Sequence, residues 1–164
     1  MTTYVPTEIN DLSNRLLRDL SDKKYKSLVI LYADGSCKGN PGLGGWAYCI
    51  VDGKGETTGW KAEGHTTNNK MELLAVINGL LAIKQPSNVL VRSDSNYVVQ
   101  AINQKWIKDW ERKEWHRKGK LIPNYDLWQR LLHAMECHLS VAFEWTDETD
   151  PHLKAVDELA KGAT

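Results

Sequence analysis

The sequence has no long apolar run. No stretch approaches the ~18 uninterrupted apolar residues of a membrane-spanning helix, which excludes a chain that crosses a bilayer by helices. The first residues, MTTYVPTEINDLSNRLL, lack the basic start and apolar run of a secretion signal. Cysteine is scarce. Cys37, Cys49 and Cys137 are an odd number with no Cys-x-x-Cys spacing. That argues against a disulfide framework and a zinc knuckle, and it fits a reducing cytosol. Net charge is lacking as well: 21 Lys plus Arg offset 21 Asp plus Glu, so a wholly basic nucleic-acid binder is excluded. There is no internal repeat and no low-complexity stretch. What is present, 41% apolar and 26% charged residues in 164, is ordinary globular usage. It rules out disorder of the whole chain and suffices for one domain with its own core.

The neutral total hides a local polarity. Ala101 to Lys120 holds seven bases (Lys105, Lys108, Arg112, Lys113, Arg117, Lys118 and Lys120) against three acids. Ser140 to Ala160 holds six acids against Lys154 alone.

Residues 1–26 form a polar leader in which Leu12, Leu16, Leu17 and Leu20 recur at helical spacing. The domain is expected over 27–164. LVILYAD from Leu28 is a short buried strand, closed by Asp34 before the turn-rich GSCKGNPGLGG. GWAYCIVD and ETTGWKAEG, joined by the tight turn Asp52-Gly53-Lys54-Gly55, complete an antiparallel meander. Asn68 or Asn69 can cap a helix carrying Met71, Leu74, Ala75, Asn78 and Leu81 on one side, and Gln85-Pro86 lies beyond its end. SNVLVRSD is a fourth strand, followed by a helix begun by Ser95. After the basic, Trp-rich stretch come the helix YDLWQRLLHAMECH, the strand HLSVAFEW, and a last helix with Pro151 in its first turn. The order predicts a five-stranded mixed α/β sheet, three antiparallel strands then parallel ones, flanked by helices.

Four carboxylates stand out: Asp34 and Asp94 close strands, Glu72 sits one turn into the first helix, and Asp157 about two turns into the last. In a mixed sheet, strand ends and the helices covering them can meet at one point. Four acids with no Cys or His among them are a hard, all-oxygen donor set, suited to Mg²⁺ or Mn²⁺. Left without cations, such acids repel and some take up protons. Each acid alone has a plainer explanation. An Asp at a strand end serves turns, Glu72 completes a capping box with Asn69, and Asp157 is a solvated helix acid.

The motifs themselves say more. Asp34-Gly35-Ser36-Cys37-Lys38-Gly39-Asn40-Pro41-Gly42 resembles the opening motif of the type 1 ribonuclease H family. Thr66-Thr67-Asn68-Asn69-Lys70-Met71-Glu72-Leu73, Ser93-Asp94-Ser95 with Tyr97-Val98, and Asp157-Glu158-Leu159-Ala160 resemble its second, third and fourth. Trp106-Ile107, Trp110 and Asp126-Leu127-Trp128-Gln129-Arg130 resemble its basic protrusion. The likeness runs from about Leu28 to Ala160 and implies a ribonuclease H-like fold. It also implies a metal-dependent endonuclease that cuts the RNA strand of an RNA–DNA hybrid, leaving 5′-phosphate and 3′-hydroxyl ends. Two Mg²⁺ or Mn²⁺ ions would be held by Asp34, Glu72, Asp94 and Asp157. By the same resemblance, backbone near Cys37 and the amides of Asn40, Asn69 and Asn96 would face the RNA minor groove, and Asn68 is a further substrate contact. His65, Thr67 and Asn124 hold a DNA phosphate, and Trp106, Trp110 and Lys113 grip the hybrid. Asn96 stands where many relatives carry Gln, and His65 where they often carry Arg.

One departure stands out. The loop Trp145-Thr146-Asp147-Glu148-Thr149-Asp150-Pro151 lacks the His that many relatives carry before the last helix. Asp147 and Glu148 are the candidate substitutes, since either can accept a proton. Slower turnover than in His-bearing relatives is expected. The competing reading is a non-catalytic or weakly active hybrid-binding module of the same fold. Because Met1 opens the chain, a free-standing protein is expected rather than a domain tethered in a reverse transcriptase; a cytoplasmic location and a monomer are expected as well.

Overall fold

The most apolar segment of the chain becomes the middle of the sheet. In the computed structural model, which describes residues 3, 4 and 28–163, strand β2 (Leu28–Lys38) is buried over its first eight residues. A strand covered on both faces reads as a continuous apolar run rather than an alternating one. It pairs antiparallel with β3 (Gly42–Asp52), which pairs antiparallel with β4 (Gly55–Thr66). On its other side β2 lies parallel to β5 (Asn88–Ser93), and β5 parallel to β8 (Ser140–Trp145). These are the five strands expected. The leader adds a short sixth: β1 (Thr3–Tyr4) runs parallel to the edge of β8. The leucine stripe at 12–20 lies outside the described residues.

Helix α1 (Asn68–Ala82) connects the meander to β5. Its cap is Thr67, not Asn68 or Asn69, and the Thr67 hydroxyl accepts from Lys70 N at 3.4 Å. The buried side is also wider than the expected stripe. It takes in Leu73, Val76, Ile77 and Leu80, while Leu81 is exposed, because α1 packs on the sheet and on a second helix at once. That second helix is α4 (Tyr125–Glu136). Helix α2 (Asn96–Asn103) starts at the Ser95 cap, as expected.

The basic stretch folds as α3 (Trp106–Arg112) and a small ribbon, β6 (His116–Arg117) against β7 (Lys120–Leu121). Its seven Lys and Arg side chains are all exposed. Beneath them Trp110 meets Trp106, Trp115 and Trp128 in tilted or edge-on contacts, with ring centroids 5.3–6.5 Å apart. Trp128 is fully buried. Helix α5 (Pro151–Ala163) covers the opposite face of the sheet through Leu153, Val156 and Ala160 against Ile30, Tyr32, Ala47 and Cys49.

One glycine sets the distance between α1 and the sheet. A Cβ on Gly35 would lie 2.4 Å from the Met71 carbonyl carbon and 2.5 Å from Glu72 N. Only glycine lets the helix backbone come this close. Gly35→Ala should lower stability in urea unfolding by about 3 kcal/mol, the cost of overpacking a site walled by backbone. Gly64→Ala, whose Cβ meets nothing, should stay within about 0.5 kcal/mol.

Candidate active site

Asp34 does not close its strand. β2 continues to Lys38 along β3, but its pairing with β5 stops at Tyr32↔Arg92. Asp34 therefore stands where two parallel strands part. Asp94 follows the end of β5, held by β8 and the loop after it: Trp145 Nε1 donates to Asp94 O at 3.0 Å, and Thr146 N to Ser93 O at 2.9 Å. Glu72 enters from α1 through the close approach at Gly35, whose N–H donates to Glu72 Oε2 (3.1 Å) and Asp34 Oδ1 (3.0 Å). This contact, and not a capping box, is what Glu72 makes. Oxygen atoms of Asp34, Glu72 and Asp94 lie within 4.8 Å of one another. Asp157, on the seventh residue of α5, faces Asp34 and pairs with Lys161 Nζ at 2.8 Å.

The electrostatics are those of crowded acids. Asp34 is buried, and its Oδ2 has no hydrogen-bond donor. Burial first, then the negative charge of Glu72 and a hydrogen bond to Asp157, push its carboxyl up to about 11. Burial and the charge of Asp94 push Glu72 up to about 8. Asp94 is raised, chiefly by burial. Partial burial works to raise Asp157, but its hydrogen bond with Asp34 and the Lys161 ammonium outweigh it and hold it low. An acceptor-only oxygen cluster with an orphaned buried carboxylate oxygen fits a hard divalent cation, which would satisfy oxygen and charge together.

Around the acids, Cys37, Asn68, Asn69, Asn96, Tyr97 and Lys161 line the same hollow of about 420 Å³. Asn40 stands outside it, and its Oδ1 accepts from Asn68 N at 2.9 Å. Thr67 is engaged in capping α1. His65 and Asn124 flank a second groove of about 610 Å³ with Lys70 and Arg130. Asn124 Nδ2 and Trp128 Nε1 both donate to the Tyr97 hydroxyl, at 3.1 and 3.0 Å. A third hollow of about 390 Å³ holds Trp106, Trp110, Lys113 and Arg117, and shares Tyr97 with the first.

The two loop acids separate. Asp147 Oδ1 is taken by the Thr149 amide and hydroxyl, whereas the charge of Glu148 is felt at both Asp94 and Lys161. His152 turns away: it stacks on Tyr32 and its Nε2 meets Glu56 Oε1 at 2.6 Å. Lys161 was not singled out from the sequence. Its signal was the i,i+4 spacing from Asp157 on a helix.

The family model for RNase H matches residues 26–164. A ribonuclease H of Caldicellulosiruptor saccharolyticus is 44% identical over 137 residues, covering 81% of this chain and 93% of its own. A ribonuclease HI of Campylobacter jejuni is 42% identical over 137 residues, covering 82% and 90%. Among solved structures, LC9-RNase H1, a type 1 RNase H with the type 2 active-site motif, superposes with a TM-score of 0.75 at 30% identity, over 84% of this chain and 72% of that one. LC11-RNase H1 in complex with an RNA/DNA hybrid gives 0.65 at 25% identity, over 82% and 95%.

Without metal, the raised carboxyls make stability fall with pH. Between the ordinary carboxylate range near pH ~4 and about 8 for Glu72 and about 11 for Asp34, the folded state holds more protons than the unfolded one. Stability is therefore greatest below that window and is lost as pH rises through it. In EDTA, the melting temperature should drop from pH 6 to pH 9, and Asp34→Asn should recover about 1–3 kcal/mol at the upper end by replacing a carboxyl that the folded state must hold protonated with a neutral amide that titrates in neither state. Mg²⁺ should flatten the profile by binding the deprotonated acids.

Proposed function

The chain belongs to the type 1 ribonuclease H family, as an endoribonuclease, and from that premise we propose that it hydrolyses the RNA strand of RNA–DNA hybrids with two divalent ions. The observation that carries this is the meeting of Asp34, Glu72 and Asp94, from three separate elements, within 4.8 Å. Together with Asp157 they would hold Mg²⁺ or Mn²⁺. When bound, the ions would activate the attacking water and stabilise the leaving 3′-oxygen, giving 5′-phosphate and 3′-hydroxyl ends.

The protein's own groups bind and orient. Asn68, Asn69 and Asn96 bring side-chain amides to the acid hollow, and an amide both donates to and accepts from a 2′-hydroxyl, the group that tells RNA from DNA. Asn40 holds the loop after β2 against the start of α1. His65 and Asn124 would take a DNA phosphate. Thr67 would act beside them at the N-terminus of α1, where backbone N–H groups favour anions. Trp106, Trp110 and Lys113 would receive the hybrid farther along, the rings packing on sugar or base and the ammonium neutralising phosphate. Of the two loop acids, Glu148 is the better proton carrier, because Asp147 is engaged by Thr149. A domain spanning 27–164, acting as a cytoplasmic monomer, completes the proposal.

On a strand-labelled hybrid, cutting should be confined to RNA and stop in EDTA. Asp34→Asn should slow it by about three orders of magnitude, ~4 kcal/mol of transition-state stabilisation. Tight hybrid binding with no cutting in Mg²⁺ or Mn²⁺ would instead establish the non-catalytic binding module. Glu148→Gln should lower turnover by about tenfold, a fraction of full acid–base assistance because water can substitute in an exposed loop. Asp147→Asn should leave turnover unchanged, and equal effects of the two would remove Glu148 from the role.

A further inference from the structure

A buried arginine lies two residues before one of the acids. Arg92 is 8% exposed on β5 and sits on the last rung shared with β2, opposite Tyr32. Its Nε donates to Glu144 Oε1 on β8 at 3.1 Å, and its Nη1 to the Tyr32 hydroxyl at 3.0 Å. The Tyr32 ring stacks on His152 of α5, with centroids 4.7 Å apart and planes 16° from parallel. His152 is tied in turn to Glu56 of β4. This chain of contacts therefore joins β8, β5, β2, α5 and β4.

An apolar side chain would fill that position at lower desolvation cost. Buried ion pairs are weak sources of stability, and what a guanidinium supplies is fixed geometry. The geometry here falls at a critical place. Beyond Tyr32↔Arg92 no ladder bond joins β2 to β5; two residues outward lie Asp34, on the same side of β2 as Tyr32, and Asp94, just past the end of β5. The stacked His152 sits in the first turn of the helix that carries Asp157 five residues on. Three elements bearing acids that repel one another are thus tied at the nearest inward point. Glu72 has its own tie at Gly35.

We propose that Arg92 and Tyr32, braced by Glu144 and His152, are positioning residues that set the separation of Asp34, Asp94 and Asp157 for divalent-cation binding; this rests on the metal-dependent reading above. Tyr32→Phe is the mildest probe, since it keeps the stacked ring and deletes only the hydroxyl that Arg92 holds. Titration of Mn²⁺ into the metal-free full chain, followed by calorimetry, should show affinity reduced about three- to tenfold. This is less than the 10- to 100-fold typical when a group touching a ligand is lost. Arg92→Met should weaken binding further. Arg92→Lys should lie between, because an ammonium does not reproduce the two-sided fork. In cleavage assays, the Mg²⁺ concentration for half-maximal rate should rise while KM for the hybrid stays constant.

Ile77→Val, in the core cluster on the other side of the sheet, serves as a control. It should lower the melting temperature and leave Mn²⁺ affinity alone. Should Tyr32→Phe lose thermal stability yet bind Mn²⁺ like the unaltered chain, the clamp is structural only and the proposal is overturned. If the unaltered chain itself neither binds Mn²⁺ nor cuts the hybrid, the metal-dependent reading falls, and the clamp with it.

Discussion

Repulsion among carboxylates with little water around them is the constraint on which the rest of this structure depends. Asp34, Glu72 and Asp94 converge from a strand, a helix and a strand end, and each is raised above the ordinary carboxylate range, chiefly by burial. A fold left to minimise its free energy would not gather them. Holding them together requires ties strong enough to resist spreading, and these ties occupy the less ordinary positions of the sequence.

Gly35 is one such tie. Without a side chain it lets α1 touch the sheet, and its single N–H serves two acids at once. Lys161 is another, pairing with Asp157 from the next turn of α5. The parting of β2 and β5 opens the hollow, and β8 with its loop steadies the Asp94 side. The outcome is a negative site whose proposed cations would relieve strain as well as supply chemistry. In that reading, metal affinity and stability are coupled through the same carboxylates.

The groove leading away from the acids is built by a different rule. Its bases are exposed, so they cost little, and a cluster of indoles packed at tilted or edge-on angles around Trp110 beneath them fixes the segment to the core. Lys105, Glu114, Trp115, Lys118 and Asn124 all adopt left-handed backbone, with φ between 52° and 64°. Such conformations persist only where the surrounding structure imposes them. Tyr97 joins the two regions: its ring borders the acid hollow and its hydroxyl receives Asn124 and Trp128. A displacement of the aromatic segment would therefore be felt beside the acids.

The sequence by itself determined the order of the five main strands and the helices between them and the strand partners of the meander, and it singled out the acids of which the fold brings Asp34, Glu72 and Asp94 together. Each rests on local signals: apolar runs, turn residues, and motifs that keep their spacing. It did not show the short strand at Thr3–Tyr4 or the helix and ribbon of the basic stretch. It misplaced the cap of α1 by one or two residues and ended the first strand too early, because β2 loses one partner at Tyr32 and keeps the other to Lys38. No local pattern shows that. Nor could spacing separate Asp147 from Glu148, since a Thr two residues on from Asp147 captures that carboxylate. The tertiary structure alone decided that Arg92 would meet Tyr32 from 60 residues away, and that Gly35 would stand against Glu72. A side chain's partner across a sheet is set by register and packing, and these exist only once the whole chain has closed on itself.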